Sequence, residues 1–215
     1  MKSYVVIGLG LFGSCTARQL CALGNEVIAI DTDPELVQAI SGDVTNAVMA
    51  DAQDKEVLRT LGVGSCDCAV VAIGDNLGAS VLSTMNLKEL GVPYIVCKAH
   101  DQTHRKVLEK LGADRVMIPE REVAEKLAHN LSSPNVLEFI ELSKDFGIVE
   151  VPVPRAWVNR SIIELNVRAK HGVNIIAIES GESINVAPGA QYVLKKDDIL
   201  VVLGGYDALA VLQEL

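Results

Sequence analysis

Short β-branched runs return at a near-constant interval through the first half of the chain, at residues 4–7, 27–30, 47–50, 69–73, 94–97 and 116–118. This recurrence constrains the fold more than any other feature. The runs are apolar on both alternating faces, the pattern of strands covered from both sides. The segments between them carry apolar residues at helical spacing: Ala17, Leu20, Cys21 and Leu23, then Leu36, Val37 and Ile40, then Val57, Leu58 and Leu61, then Val81, Leu82, Met85 and Leu90. Asp33-Pro34 supplies a helix cap followed by proline at the first helical position, and Gly24, Gly62, Gly91 and Gly112 stand where helices close. Strands alternating with helices in this way predict an α/β domain over residues 1–118, a doubly wound parallel sheet of the Rossmann type.

The pattern then changes. Pro119-Glu120-Arg121-Glu122 opens a helical stretch with Val123, Ala124, Leu127 and Ala128 on one face. Ser132-Ser133-Pro134 interrupts it, and Val136, Leu137, Ile140 and Leu142 read as a second helical stripe. Residues 119–143 are therefore expected to form a helical crossover whose apolar face is covered by a neighbouring subunit. Residues 144–215 read as a small α+β module, with strands at 148–153, 173–178, 184–186 and 199–203. A helix over 161–167 starts at Ser161, with Glu164 completing a capping box. Gly204-Gly205 is expected to break the last strand before a terminal helix over 208–215.

Nearly half the residues are apolar, so a sizeable core forms without disulfides or metals. The formal charge of -9, with no basic block, argues against nucleic acid as a partner. No apolar run approaches the roughly 20 residues that span a bilayer, and the run after Met1-Lys2-Ser3 is too short for a signal peptide core. A cytoplasmic protein is expected. The cysteines, Cys15, Cys21, Cys66, Cys68 and Cys97, have no zinc-site spacing and read as small apolar residues. Cys66 and Cys68, flanking Asp67 in a loop, are the pair to watch for oxidation.

Gly8-Leu9-Gly10-Leu11-Phe12-Gly13 follows the first strand and opens the first helix, the context in which three glycines at this spacing gain meaning. Gly8 permits a tight turn, Gly10 lets a pyrophosphate approach the backbone, and Gly13 allows close helix–sheet packing. The helix N-terminus presents free N–H groups to phosphate. Asp31 ends the second strand, where a carboxylate accepts ribose hydroxyls and repels a 2′-phosphate, so NADP is disfavoured. Thr32 and Asp33 follow it.

Asp51, beside Ala52 at the end of the third strand, either accepts from an adenine amine or caps the next helix near Asp54. Ile73, Gly74 and Asn76 border the same crevice, as a ligand loop or as a plain turn. Lys98 ends the fifth strand, where its ammonium either meets phosphate or is solvated. Glu120 either holds a divalent cation near phosphates or supplies first-turn helix charge. His100 and His104, four apart on an expected helix, are a formal metal pair without a third ligand, and with His129 and His171 they form no catalytic grouping.

Taken together, the glycine loop, Asp31, Ala72-Ile73-Gly74, Cys97-Lys98-Ala99, Lys110-Leu111-Gly112-Ala113-Asp114 and Ile118-Pro119-Glu120 resemble the RCK (KTN) family. So do Ser161-Ile162-Ile163-Glu164-Leu165-Asn166-Val167-Arg168 and Asp197-Asp198-Ile199-Leu200-Val201-Val202 of its C-terminal subdomain. The likeness is greatest to the gating subunits of Ktr/Trk-type potassium transporters and spans essentially the whole chain.

The resemblance implies a homo-oligomer, from dimer to octameric ring, docked on a membrane-embedded potassium-translocating subunit. It implies an adenine nucleotide, ATP/ADP or NAD(H), at Gly8, Gly10, Leu11, Phe12, Gly13, Asp31, Thr32, Asp33, Asp51, Ala52, Ile73, Gly74, Asn76 and Lys98. A divalent cation at Glu120 and cyclic di-AMP at Ile162, Ile163, Arg168, Ala169, Asn174, Ile175 and Pro188 are implied as well. Leu11 departs from the arginine common in Ktr relatives, which favours NAD(H), ADP or AMP over a ligand with a third phosphate. The alternative is an NAD-dependent oxidoreductase, because the glycine loop fits both. The small second half offers no acid or base for hydride chemistry.

Overall fold

The computed structural model describes residues 1–132, 138–143, 145–181 and 183–213. The chain divides into two compact units, Met1–Glu122 and Val123–Leu215.

In the first unit the elements follow in strict alternation: β1 (Ser3–Ile7), α1 (Leu11–Ala22), β2 (Glu26–Asp31), α2 (Pro34–Ile40), β3 (Asn46–Met49), α3 (Lys55–Thr60), β4 (Cys68–Val71), α4 (Leu77–Glu89), β5 (Ile95–Lys98), α5 (Gln102–Lys110), β6 (Arg115–Met117) and the start of α6 (Pro119–Ser132). The sheet has the order β3-β2-β1-β4-β5-β6 and every pairing is parallel. Successive residues of β1 feed opposite cores. Val5 and Ile7 pack with Leu58, Leu87, Ile95 and Leu108 on one face. Val6 packs with Leu9, Ala17, Val27 and Ile40 on the other. That two-sided burial is why the strands carry no polar alternation.

Asp33, Asp54, Asn76 and Asp101 cap α2 to α5, each side chain accepting a backbone N–H from the first turn. β3 and β6 lie one residue earlier than their apolar runs suggest, and β4 stops at Val71 rather than at Ile73.

The second unit contains β7 (Glu138–Glu141), β8 (Phe146–Pro152), α7 (Ile162–Leu165), α8 (Val167–His171), β9 (Val173–Ser180), β10 (Ser183–Asn185), β11 (Ile199–Gly205) and α9 (Tyr206–Gln213). Its sheet is antiparallel, in the order β10-β9-β11-β8-β7. Trp157, Leu165, Ile178, Leu194, Leu200 and Leu209 are among its buried core.

β8 and α9 each start two residues earlier than expected, and the structure departs further from the sequence expectation in four places. The stretch expected as a second helix at 136–142 holds a strand, β7, in which Ile140 pairs with Ile148 of β8. A short apolar run suits either element, and the open edge of β8 satisfies its backbone groups. Val136 and Leu137 lie outside the described residues. The helix expected over 161–167 ends at Leu165 because Asn166 turns left-handed, with φ of 46°, and α8 starts after it. The Ser161–Glu164 capping box is present. β10 sits one residue earlier than expected. Gly204 and Gly205 continue β11 rather than breaking it, since their pairing with β8 runs on to Phe146.

Candidate functional site

The carboxyl ends of β1 to β4 surround a cleft of about 300 Å³ at the point where the strand order reverses. Crevices at such switch points are where open α/β sheets hold ligands. Its lining includes Gly8, Gly10, Asp31, Thr32, Asp51, Ala52, Ile73, Gly74 and Asn76 of the sequence candidates. Ile7, Ile30, Ala50, Gln53, Ala72 and Ala79 line it too, none of them among the residues expected to hold the nucleotide. Ile7, Ile30 and Ala50 are the last residues of the first three apolar runs, which is the signal that could have found them.

The three glycines have different causes. Gly8 has φ of +91°, and a Cβ there would lie 3.0 Å from the Ala72 carbonyl carbon. A Cβ on Gly13 would overlap the Gly8 carbonyl oxygen outright. These two are demanded by the turn and by the packing of α1 on the sheet. Gly10 is not. Its φ is -58°, which any residue adopts, and a Cβ there meets nothing within 4 Å. Gly10 is also the N-cap of α1 with no side-chain cap, leaving first-turn N–H groups open toward the cleft.

Asp31 holds the loop as well as facing the cleft. One carboxylate oxygen accepts the Leu9 N–H at 2.6 Å and the other accepts the Asp33 N–H at 2.9 Å. Each oxygen keeps a second lone pair for a ligand hydroxyl. Asp33 is spent on capping α2, accepting the Glu35 N–H at 2.8 Å, and does not line the cleft. Asp51 accepts the Gln53 N–H at 2.9 Å; the cap of α3 is Asp54, so the capping role considered for Asp51 belongs elsewhere. Asn76 caps α4 through the Ala79 N–H at 3.0 Å while also lining the cleft.

Lys98, Phe12 and Glu120 form a group beside the Gly74 turn. Lys98 Nζ lies 5.9 Å from the centre of the Phe12 ring and 2.7 Å from Glu120 Oε1. It would lie 3.7 Å from a Cβ on Gly74. The lysine side chain is 17% exposed and the glutamate 67%. The Lys98 ammonium holds the Glu120 carboxyl below the usual glutamate range. Glu120 is thus an ion-pair partner, and among the described residues no three His, Cys, Asp or Glu side chains are grouped to hold a metal. Leu11, the first residue of α1, is 86% exposed beside the loop.

The two histidines do not share a helix as expected. His100 precedes α5, and its backbone N–H donates to His104 Nδ1 at 3.2 Å. His104 is buried, with Nε2 3.2 Å from Ser80 Oγ, so both ring nitrogens are engaged. The cysteine pair fares no better: Cys66 is buried and Cys68 opens β4. Burial pushes the Cys66 thiol up and the Cys68 thiol to about 11, which suppresses the thiolate needed for oxidation.

The second unit has a cleft of its own, about 720 Å³, lined by Ile162, Ile163, Arg168, Asn174, Ile175 and Pro188 among others. The Arg168 guanidinium donates to Asn174 Oδ1 at 2.7 Å along its wall. Ala169 does not line it.

Residues 4–119 match the TrkA-N domain and residues 147–215 the TrkA-C domain. Ktr system potassium uptake protein A of Bacillus subtilis (strain 168) is 43% identical over 203 residues, covering 94% of this chain and 91% of its own length. Ktr system potassium uptake protein C of the same organism is 42% identical over 203 residues, covering 94% and 92%. Among solved structures, the GsuK channel covers 100% of this chain with a TM-score of 0.71 at 19% identity, this chain spanning 39% of it. With both domains matched and potassium uptake proteins similar along almost their entire length, the chain belongs to the RCK (TrkA-N/TrkA-C) family of potassium-transport regulators.

Proposed function

We propose that this protein is a cytoplasmic regulatory subunit of a potassium transporter or channel, and that an adenine nucleotide bound in the cleft of the first unit sets its state. The observation that carries the nucleotide assignment is Gly10, a glycine the fold does not require, at an uncapped helix N-terminus facing the cleft. A phosphate approaching the backbone accounts for it. Asp31 is suited to the ribose hydroxyls, Asp51 to the adenine edge, and Lys98 to phosphate once released from Glu120. A divalent cation that draws Glu120 away would free that lysine, which makes a cation at Glu120 compatible with the ion pair.

The lining supports regulation rather than catalysis, with Asp31 and Asp51 already accepting backbone N–H groups. None of the described residues around the cleft is a histidine, tyrosine, cysteine or lysine that could relay a proton in hydride transfer. Val123, Leu127 and Leu131 of α6 are all strongly exposed at a spacing of four. A copy of the same chain would cover this stripe, and closure of such pairs would build the ring, up to an octamer, that docks on the membrane-embedded potassium-translocating subunit. The second unit's cleft, with Arg168 and Asn174 at its wall, would take cyclic di-AMP when paired with the same subdomain of a second copy. Gating then requires that nucleotide bind one ring shape more tightly than another.

The test is reconstitution with a co-expressed potassium-translocating membrane subunit. Copurification and a change of potassium flux between nucleotides are expected. Flux that ignores every adenine nucleotide, or steady NADH turnover by the protein, would refute the assignment.

A further inference from the structure

The cleft of the first unit is short of positive charge. None of its described lining residues is lysine or arginine, while Asp31 and Asp51 both border it. The ammonium at its margin, Lys98, is already neutralised at 2.7 Å by Glu120. Where α1 begins, the residue best placed to add a cation is Leu11, which is 86% exposed and apolar. What remains to attract phosphate is the helix N-terminus, worth about half a positive charge.

We infer that this cleft, if it holds an adenine nucleotide as proposed above, selects one of low phosphate charge, with diesterified phosphates as in a dinucleotide, over a nucleoside triphosphate. A bridging pyrophosphate carries about two negative charges where a free triphosphate carries about four, and each extra charge is repelled by the carboxylates without a cation to offset it. The free end of a triphosphate would also have to displace Glu120 from Lys98 and leave that carboxylate facing phosphate. A diester has no such terminal group. The shape agrees: the cleft lies where the two halves of the sheet meet, and Ile73, Gly74 and Asn76 carry its lining onto the β4 side, away from Asp31. A second nucleoside would extend over that side, the arrangement doubly wound sheets use for dinucleotides.

Titration calorimetry of the full chain with NADH, ADP and ATP in EDTA tests this. NADH is expected to bind at least about tenfold more tightly than ATP at low ionic strength, with the gap narrowing when salt shortens the screening length to about 8 Å. Magnesium, which masks part of the triphosphate charge, is expected to narrow it too. Leu11→Arg, at an exposed position the fold does not use, is expected to tighten ATP about tenfold and to move NADH less than about threefold. ATP binding as tightly as NADH in EDTA overturns the inference. So does a gap that salt, magnesium and Leu11→Arg all leave unchanged, since it is then not electrostatic. Failure of all three ligands to bind, with the protein folded by circular dichroism, overturns the nucleotide assignment itself and the inference with it.

Discussion

One methyl group added at either of two neighbouring glycines separates the folding role of the glycine loop from its binding role. In Gly13→Ala the new Cβ falls 1.8 Å from the Gly8 carbonyl oxygen and 3.0 Å from the Ala72 Cβ. The oxygen belongs to the backbone of a tight turn, so no side chain can rotate away, and α1 must withdraw from β1 by well over an ångström. Overpacking of this kind costs about 1–3 kcal/mol, and the rigid partner puts Gly13→Ala at the upper end. At roughly 2–8 °C per kcal/mol for domains in this size range, the first unit should melt about 5–15 °C lower.

Gly10→Ala differs. The methyl meets nothing within 4 Å and φ of -58° suits alanine. The poorer N-cap and the stiffer unfolded chain each change stability by under about 1 kcal/mol in opposite directions. Its melting temperature should stay within about 3 °C of the parent, while the methyl stands where phosphates approach and weakens nucleotide binding by about tenfold or more, a loss of about 1.4 kcal/mol. Thermal melts with calorimetric titration of each variant provide the readout. Gly10→Ala with undiminished affinity would refute the phosphate site, and Gly13→Ala melting like the parent would refute the packing argument.

Other outcomes follow from the same structure. His104 accepts the His100 N–H on Nδ1, so Nε2 carries the proton toward Ser80, and burial holds its pKa below the ordinary 6.5 even though Asp101 pulls the other way. The unfolded chain therefore takes the proton first: the His104 contribution is complete above 6.5 and is lost as pH falls below it. Urea midpoints between pH 8 and pH 5.5 should fall on acidification, with a shallower fall in His104→Gln; equal slopes would exclude His104 as the source. Asp31→Ala removes the acceptor of the Leu9 and Asp33 N–H groups, so it should cost about 1–3 kcal/mol of stability as well as ribose binding, measurable by denaturant titration. Maleimide at neutral pH should label exposed Cys15 at least about tenfold faster than Cys68 or Cys97, whose thiols burial raises to about 11, as read by mass spectrometry. Leu127→Glu on the exposed stripe of α6 should shift the protein toward monomer in sedimentation, and an unchanged mass would remove that stripe from the assembly.

The difference between what the sequence expressed and what it concealed lies in how many contacts decide each feature. The doubly wound sheet is legible because a whole strand must be apolar to be buried on both faces, and each cap is a local event: Asp54 and Asp101 act on N–H groups two or three residues away. β7 is not legible, because Ile140 can serve a helix face or a sheet edge and only the open edge of β8, met in three dimensions, chooses between them. The cleft shows the same division. Residues at strand ends could be placed around it by counting, yet two facts depend on contacts between distant parts of the chain: that Asp31 spends a lone pair of each oxygen on the loop, and that Lys98 already has Glu120. The second fact alters the chemistry most. A lysine counted as a free phosphate ligand makes the cleft nearly indifferent to ligand charge; the same lysine held by a carboxylate makes each added phosphate compete with Glu120 for one ammonium. A phosphate that reached Lys98 would therefore meet Glu120, which stands at the first turn of α6, the helix that carries the stripe proposed as the contact with a second copy.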